Sequence, residues 1–211
     1  MLKHFKLAVA TLALGIGASA FAGPALTSIS GGSLATSGSD QLYGWRFTLN
    51  TDVTVTALGV YDDDHDGMEV RHAIGIFRIS DQALMVSTTL GAGTSGYLNG
   101  DFRYDALASG FALGAGDYEI VMTMPVGNDD RQLISASGFT SASELTVTAG
   151  VFGSSSSLAF ASGIGVFNPG MFGPNFEFGA ASGHVPEPAT LALAGLALLG
   201  CGVSRKQRRL G

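Results

Sequence analysis

The pattern that most constrains the fold is a series of short runs in which apolar and β-branched residues alternate with polar ones. Clusters of Gly, Asp and Ser separate these runs, and no long amphipathic helical pattern occurs. Alternation with a period of two gives a strand one core face and one solvent face. The sequence therefore predicts an all-β body, an antiparallel β-sandwich. We expect strands at 43–49, 53–61, 72–79, 84–90, 97–104, 110–113, 117–124, 145–152 and 175–178.

Two connections carry turn signals of their own. Ser80-Asp81-Gln82 fits a hairpin turn. The run from Leu113 to Tyr118 places a tyrosine just inside a strand after a glycine turn. This is the arrangement of a tyrosine corner, in which the phenol hydroxyl binds back to the chain of a Greek-key crossover. We expect a structural role for Tyr118.

Charge is unevenly distributed along the chain. Residues 23–184 contain no lysine and carry five arginines against 16 of the 17 acids, a net charge of −11. Such a surface cannot replace the counterions of nucleic acid, and anionic lipid would repel it. Nucleic-acid binding and polybasic membrane docking are therefore excluded.

The N-terminus has the features of an export signal. A basic start, Met1 to Lys6, precedes the apolar stretch 7–18, and Ala20 and Ala22 form a small-x-small cleavage site. We expect residues 1–22 to be a signal peptide for the Sec export machinery, with an uncleaved anchor as the alternative. The body has no cysteine, so its stability must come from a β core or from bound ions.

Three unlike elements follow one another at the C-terminus. The motif 185–189 leads into the apolar run 190–203 and the basic tail 204–211. As a transmembrane helix, the apolar run covers about 21 Å of a hydrocarbon core about 30 Å thick, which makes it a marginal anchor. By the positive-inside rule the body lies outside the cytoplasm. The residues that set this orientation are Arg205, Lys206, Arg208 and Arg209.

Val185-Pro186-Glu187-Pro188-Ala189, the short apolar helix and the basic end together resemble the PEP-CTERM sorting signal of Gram-negative bacteria. The resemblance implies that exosortase, a membrane cysteine protease, detaches the protein from the inner membrane for deposition at the surface or in the matrix. A plain tail anchor is the alternative. The expected organisation is a signal peptide (1–22), a polar linker (23–42), a β-sandwich domain (43–180) and the sorting signal (181–211).

The body also resembles a β-sandwich module of unknown function that recurs in PEP-CTERM proteins and is related to carbohydrate-binding-like jelly rolls. The resemblance implies a jelly-roll or Greek-key arrangement without an established catalytic function. The matching pieces are 43–47, 56–62, 66–67, 72–77, 102–104, 113–118 and 172–176.

The acidic loop directly after the second predicted strand is the strongest candidate for chemistry. Asp62, Asp64 and Asp66 alternate before a glycine, as at the start of calcium loops. The twelfth position of an EF-hand would be Ala73, which is no ligand, so Glu69 or a neighbouring loop would have to complete the shell. A solvated acidic turn is the alternative. Calcium is the only cofactor that the sequence suggests.

Histidines and aromatic residues offer weaker signals. His65 and His72 lack a second cluster at ligand spacing, so we expect solvated side chains, or a strand position for His72. Six aromatic residues could stack on sugars, but we expect most of them in the core. They are Tyr43, Trp45, Tyr61, Tyr97, Phe102 and Tyr104.

Three function classes remain. We expect a non-catalytic exported protein of the cell surface, biofilm or extracellular polysaccharide matrix, with exosortase as a partner. A carbohydrate-binding, calcium-stabilised adhesion module that binds exopolysaccharide is the alternative. An enzyme is the third class, and no G-x-S-x-G elbow or other catalytic spacing supports it.

Overall fold

The alternating runs form strands because the chain turns at the Gly, Asp and Ser clusters between them. The computed structural model describes residues 23–165 and 170–180. Those residues contain fifteen strands and no helix, which confirms the prediction of an all-β body. The strands are β1 (Gly23–Pro24), β2 (Leu26–Ser30), β3 (Ser33–Ala35), β4 (Gln41–Leu49), β5 (Val53–Tyr61), β6 (His72–Arg78), β7 (Leu84–Leu90), β8 (Tyr97–Asn99), β9 (Phe102–Leu113), β10 (Gly116–Met124), β11 (Gln132–Ile134), β12 (Gly138–Ser141), β13 (Leu145–Gly153), β14 (Gly163–Ile164) and β15 (Pro174–Ala180).

Two antiparallel sheets contain most of these strands. Sheet I has the order β1-β15-β5-β9-β8, and sheet II has the order β14-β13-β4-β10-β6-β7. Two short ribbons, β2 with β12 and β3 with β11, lie outside the sheets. The first and last described strands, β1 and β15, are neighbours, so the two ends of the body meet at one edge of sheet I.

Trp45 on β4 links the two sheets. Its ring stacks on Phe176 of β15, with centroids 5.9 Å apart and an interplanar angle of 19°. The indole N–H donates a hydrogen bond to the carbonyl of Pro174 at 2.7 Å. Phe47 packs on the same Phe176 ring at 5.1 Å. Since β4 belongs to sheet II and β15 to sheet I, the sheets pack face to face around an aromatic core.

The opposite face of sheet II is covered by a segment without regular structure, residues 154–162. The fully buried carboxylate of Glu119 accepts hydrogen bonds from the backbone N–H of Ala161 at 2.7 Å and from Arg46 Nε at 3.1 Å. The guanidinium of Arg46 lies 5.5 Å from the ring centre of Phe160. Burial raises the pKa of Glu119, because desolvation disfavours the charged form. Glu119 thus ties the covering segment to the sheet.

Residues 23–42 do not form the predicted polar linker. They contain β1, β2, β3 and the start of β4, and Ala25 and Leu26 are buried. The linker prediction is wrong because the partners of these strands, β15, β12 and β11, lie near the other end of the body. Nothing in the local sequence indicates that pairing.

The predicted strand over 97–104 is also wrong. The chain turns at Gly100 and Asp101, which separates β8 from β9, and β9 then continues to Leu113 through the predicted strand 110–113. The hairpin at 80–82 is confirmed, since β6 and β7 pair across it and Arg78 N donates to Ala83 O at 2.9 Å.

Candidate functional site

The acidic loop, residues 62–71, joins β5 to β6 and lies beside a second loop, residues 128–131. Tyr61 and parts of both loops line a cavity of about 380 Å³. Eight of its eleven lining residues are Tyr61, at the end of β5, and residues of the acidic loop, and 129–131 close the other side. The cavity is therefore walled mainly by carboxylates.

Asp62, Asp64 and Asp66 bring their side chains together in this loop. One carboxylate oxygen of each lies within 4.8 Å of the others. Asp62 is buried, whereas the other two are exposed. Carboxylate oxygens are the hard ligands that calcium prefers. The structure thus brings together three of the four residues that the sequence predicts as metal ligands.

Gly67 allows the sharp turn that makes this convergence possible. Its φ is +106°, and a Cβ there would lie 2.5 Å from the backbone of Gly93. The adjacent Met68 exchanges two backbone hydrogen bonds with Gly93, of 3.1 and 2.6 Å. The Gly67 N–H also points back to Asp62 Oδ1 at 3.4 Å. Only glycine combines this conformation with so close an approach.

Two arginines offset part of the negative charge. Arg103 binds the carboxylate of Asp62 at 2.8 Å, with both side chains buried, and Arg131 binds Asp63 at 3.1 Å. Asp64 and Asp66 form no salt bridge with any described residue. The pKa of Asp66 is raised mainly by a hydrogen bond with Asp64 and further by the negative charge of Asp64. A cation between these carboxylates would relieve their repulsion.

Glu69, the fourth predicted ligand, has a different partner. Its carboxylate accepts the backbone N–H of Asp129 at 2.6 Å. In return, the carboxylate of Asp130 accepts the backbone N–H groups of Glu69 at 2.8 Å and Val70 at 3.1 Å. These bonds hold the acidic loop against the second loop. The role of Glu69 as a ligand stays a prediction.

His72 is a buried residue of β6 rather than a solvated histidine. Its Nδ1 lies 2.7 Å from the carbonyl oxygen of Thr123, and its Nε2 lies 2.9 Å from Asp130. The prediction of a solvated His72 is therefore wrong, and the alternative of a strand position is confirmed. His65 is exposed, with Nε2 3.2 Å from Asp101.

Asp130 is a residue of this site that the sequence did not indicate. Burial raises its pKa, but hydrogen bonds from His72 and from two backbone N–H groups outweigh burial and leave the pKa lowered. His72 and Asp130 lie 58 residues apart, so no local spacing connects them. The acidic pair 129–130 was the only available signal.

The aromatic residues that could stack on sugars differ in how deeply they are buried. Tyr43 and Tyr61 are half-buried. Tyr97 is 41% exposed, yet its hydroxyl donates to Glu177 at 2.5 Å and its ring stacks on a neighbour at 5.7 Å. A core role is confirmed for the three buried ones, Trp45, Phe102 and Tyr104.

The remaining predicted site residues lie outside the described part of the chain. Within that part, no helix is long and apolar enough to cross a membrane. The residues concerned are the cleavage pair Ala20 and Ala22, the motif residues Val185, Pro186, Glu187 and Pro188, and the basic residues Arg205, Lys206, Arg208 and Arg209.

The tail matches a known family model. Residues 184–209 fit the PEP-CTERM protein-sorting motif. The chain carries a PEP-CTERM sorting signal. The signal implies an exported protein that exosortase processes at the membrane, and three residues separate it from the end of β15. No curated protein matches the chain.

Proposed function

We propose that the body is a non-catalytic component of the cell surface or of the extracellular polysaccharide matrix of a Gram-negative bacterium. The observation that carries the proposal is the sorting signal at 184–209, directly after the β body. The Sec machinery would export the precursor, the apolar run 190–203 would hold it in the inner membrane, and exosortase would release it. The acidic body is unsuited to nucleic-acid binding, and without cysteine it does not depend on disulfides, which is consistent with a location outside the cell.

Intact-mass measurement on surface and medium fractions of the native host tests this proposal. We expect a mature protein without residues 1–22 and without the segment after the Pro186 region. Replacing Pro186 and Glu187 by alanine should keep the protein in the inner membrane, while the control Ser182→Ala should be sorted normally. A full-length tail on wild-type protein in the surface fraction would overturn the proposal.

The strand order supports a jelly roll as the architecture. Eight of the eleven strands in the two sheets follow the orders 1-8-3-6 and 2-7-4-5 when β1, β4, β5, β6, β7, β9, β10 and β15 are numbered along the chain. The other three strands extend the edges, with β13 and β14 beyond β4 and β8 beyond β9. Two interlocked Greek keys produce this order. It supports the further proposal that the body is a β-sandwich of the kind found in carbohydrate-binding-like jelly rolls and in the module of unknown function common in PEP-CTERM proteins.

A carbohydrate-binding role in matrix adhesion is the second candidate function. Tyr97 favours it, because the ring is exposed and held in place by Glu177 and Tyr104, and a fixed ring loses little entropy when a sugar stacks on it. Pull-down with the exopolysaccharide of the host tests this role. Tyr97→Ala should abolish retention, and Leu84→Ala, at a similarly exposed position, should not. Equal retention of both variants would exclude Tyr97 as the stacking residue.

We further propose that calcium stabilises the acidic loop. The convergence of Asp62, Asp64 and Asp66 at the rim of a carboxylate-lined cavity supports this proposal. Calcium would be bound by these side chains and by carbonyl oxygens or water. Thermal melting in millimolar calcium, compared with melting in chelator, tests the proposal.

A further inference from the structure

The turn between β8 and β9 contains an asparagine followed by a glycine. Asn99 pairs with Phe102, so Gly100 and Asp101 form a two-residue hairpin loop. Gly100 has a φ of +60°, which suits the first central position of a type II′ turn. Asn99 is exposed, and apart from the chain neighbours no atom lies within 4 Å of the position that a Cβ would occupy at Gly100. No other element crowds the turn on that side, and solvent reaches the asparagine.

This pair has a chemical reactivity of its own. The backbone nitrogen of residue 100 can attack Cγ of Asn99, because glycine has no side chain to hinder the approach. The new N–C bond closes a succinimide ring, and the Cγ–Nδ2 bond breaks. The amide nitrogen leaves as ammonia with the proton of the glycine N–H. Water then opens the ring to aspartate or isoaspartate, so the net change consumes one water and releases one ammonia.

We propose that Asn99 is a site of spontaneous deamidation in the mature protein, and that the new carboxylate loosens β8 from sheet I. Asn99 Nδ2 donates a hydrogen bond to Glu177 Oε1 at 2.7 Å. The other oxygen of Glu177 accepts the Tyr97 hydroxyl at 2.5 Å. Deamidation replaces a donor to Glu177 with a second negative charge at the same contact.

The surroundings of Glu177 offer little to offset that charge. Glu177 is 6% exposed and forms no salt bridge with any described residue. Tyr97 on β8 and Tyr104 on β9 are the titratable groups that face it. Burial, with the charge of Glu177, raises the pKa of both, so both stay neutral near pH 7. The new carboxylate at the exposed position 99 would therefore repel the buried carboxylate of Glu177, whose charge no described cation offsets.

Loosening of β8 would affect the exposed ring of Tyr97, which lies next to this turn. β8 is a three-residue edge strand that pairs only with β9 among the described strands. Its Tyr97 ring stacks on the fully buried Tyr104. Isoaspartate would also add a carbon to the backbone at Asn99 and shift the register with Phe102. Deamidation thus converts a fixed Tyr97 into a mobile one.

Peptide mapping of the purified full-length protein tests the reaction. After incubation in mildly alkaline buffer, mass spectrometry separates asparagine, aspartate and isoaspartate at each site. We expect conversion at Asn99 to be several-fold faster than at Asn175, which is fully buried and precedes a phenylalanine. Equal rates at the two sites would overturn the proposed modification.

Two variants test the structural consequence. Asn99→Asp reproduces the charge and should lower the melting temperature by roughly 2–6 °C at neutral pH relative to Asn99→Ala, which loses the amide without adding charge. The difference should shrink below about pH 4, where carboxylates take up protons. Coincident melting of the two variants at neutral pH would overturn the claim that charge loosens β8.

Discussion

The phenol hydroxyl of Tyr118 donates a hydrogen bond to the carbonyl oxygen of Gly114, four residues earlier, at 3.0 Å. Tyr118 lies on β10 of sheet II, and Gly114 lies in the connection that leaves β9 of sheet I. The bond therefore fixes the point at which the chain crosses between the sheets. It confirms the tyrosine corner that the sequence predicts.

Removing this hydroxyl should weaken the crossover without disturbing the core. Tyr118→Phe keeps the ring that stacks on Phe47 at 5.8 Å and loses only the hydrogen bond. We expect the free energy of unfolding to fall by about 1 kcal/mol and the melting temperature by about 2–4 °C. Tyr43→Phe is the matched control, because Tyr43 is half-buried on a strand of the same sheet and its hydroxyl bonds to no described residue. Equal losses in both variants would show that the corner bond adds nothing.

Replacing Asp130 should weaken the contact between the acidic loop and the second loop. Asp130→Asn replaces a charged acceptor of three hydrogen bonds with a group that also donates. We expect unfolding free energy at neutral pH to fall by roughly 2–3 kcal/mol in chemical denaturation. Asp129→Asn, which changes an exposed neighbour, should have little effect. An unchanged midpoint for Asp130→Asn would contradict the role of this residue in holding the two loops.

The pH dependence of Asp130 has a definite sign. Its pKa is lower in the folded protein than in the unfolded chain, so the folded state favours the ionised form. The resulting stability is present above about pH 4 and is lost as the pH falls through the folded pKa. The difference in stability between wild type and Asp130→Asn should therefore narrow in acid. A stability difference that widens in acid would contradict a lowered pKa for Asp130 in the folded protein.

Glu119 should behave in the opposite way. Its pKa is raised by burial, so its contribution to stability is largest below about pH 4.5 and is lost as the pH rises through the folded pKa. As the pH rises from about 4.5 to neutrality, the free energy of unfolding of Glu119→Gln should therefore fall by less than that of the wild type. Glu119→Ala leaves Ala161 and Arg46 without their acceptor and should cost about 3 kcal/mol. Limited proteolysis should then cut residues 154–162 faster in this variant. Unchanged cleavage would contradict the role of Glu119 in holding this segment against sheet II.

Calcium should raise the melting temperature of the wild-type protein. With a Kd of about 0.1 mM and free calcium of about 1 mM, the increase should be a few degrees. Asp64→Asn or Asp66→Asn should abolish it, because each removes a converging carboxylate. Asp81→Asn, which alters an exposed acid at a distant hairpin, should keep the full increase. The same melting curve in calcium and in chelator would show that calcium does not stabilise the loop, which would then be a solvated turn.

Strands with strong local patterns could be predicted from the sequence. The bounds of β5 and β7 match the expected 53–61 and 84–90, because turn residues border each apolar run. The local spacing of Asp62, Asp64 and Asp66 likewise predicts their convergence, since alternation and a following glycine act within one loop. Such features depend only on neighbouring residues.

Features that depend on distant partners could not be predicted. β2 is a five-residue strand whose partner is β12, and the paired residues Ser30 and Gly138 lie 108 positions apart in the sequence. His72 is buried because Asp130 and Thr123 meet it from other strands and loops. The sequence predicts two separate strands where β9 is continuous, because the stretch 105–109 between them is rich in small residues and interrupts the alternation. In each case a tertiary contact decides what the local pattern leaves open.

The position of β15 has a consequence for the timing of folding. β15 is an inner strand of sheet I, between β1 and β5, and three residues separate it from the sorting motif. In the proposed export from the N-terminus, sheet I could close only after β15, the last described strand, has crossed the membrane. β1 pairs with β15, so it would stay without this partner until nearly the whole body has been exported. Closure of the sheet and arrival of the exosortase motif at the membrane would then be almost simultaneous.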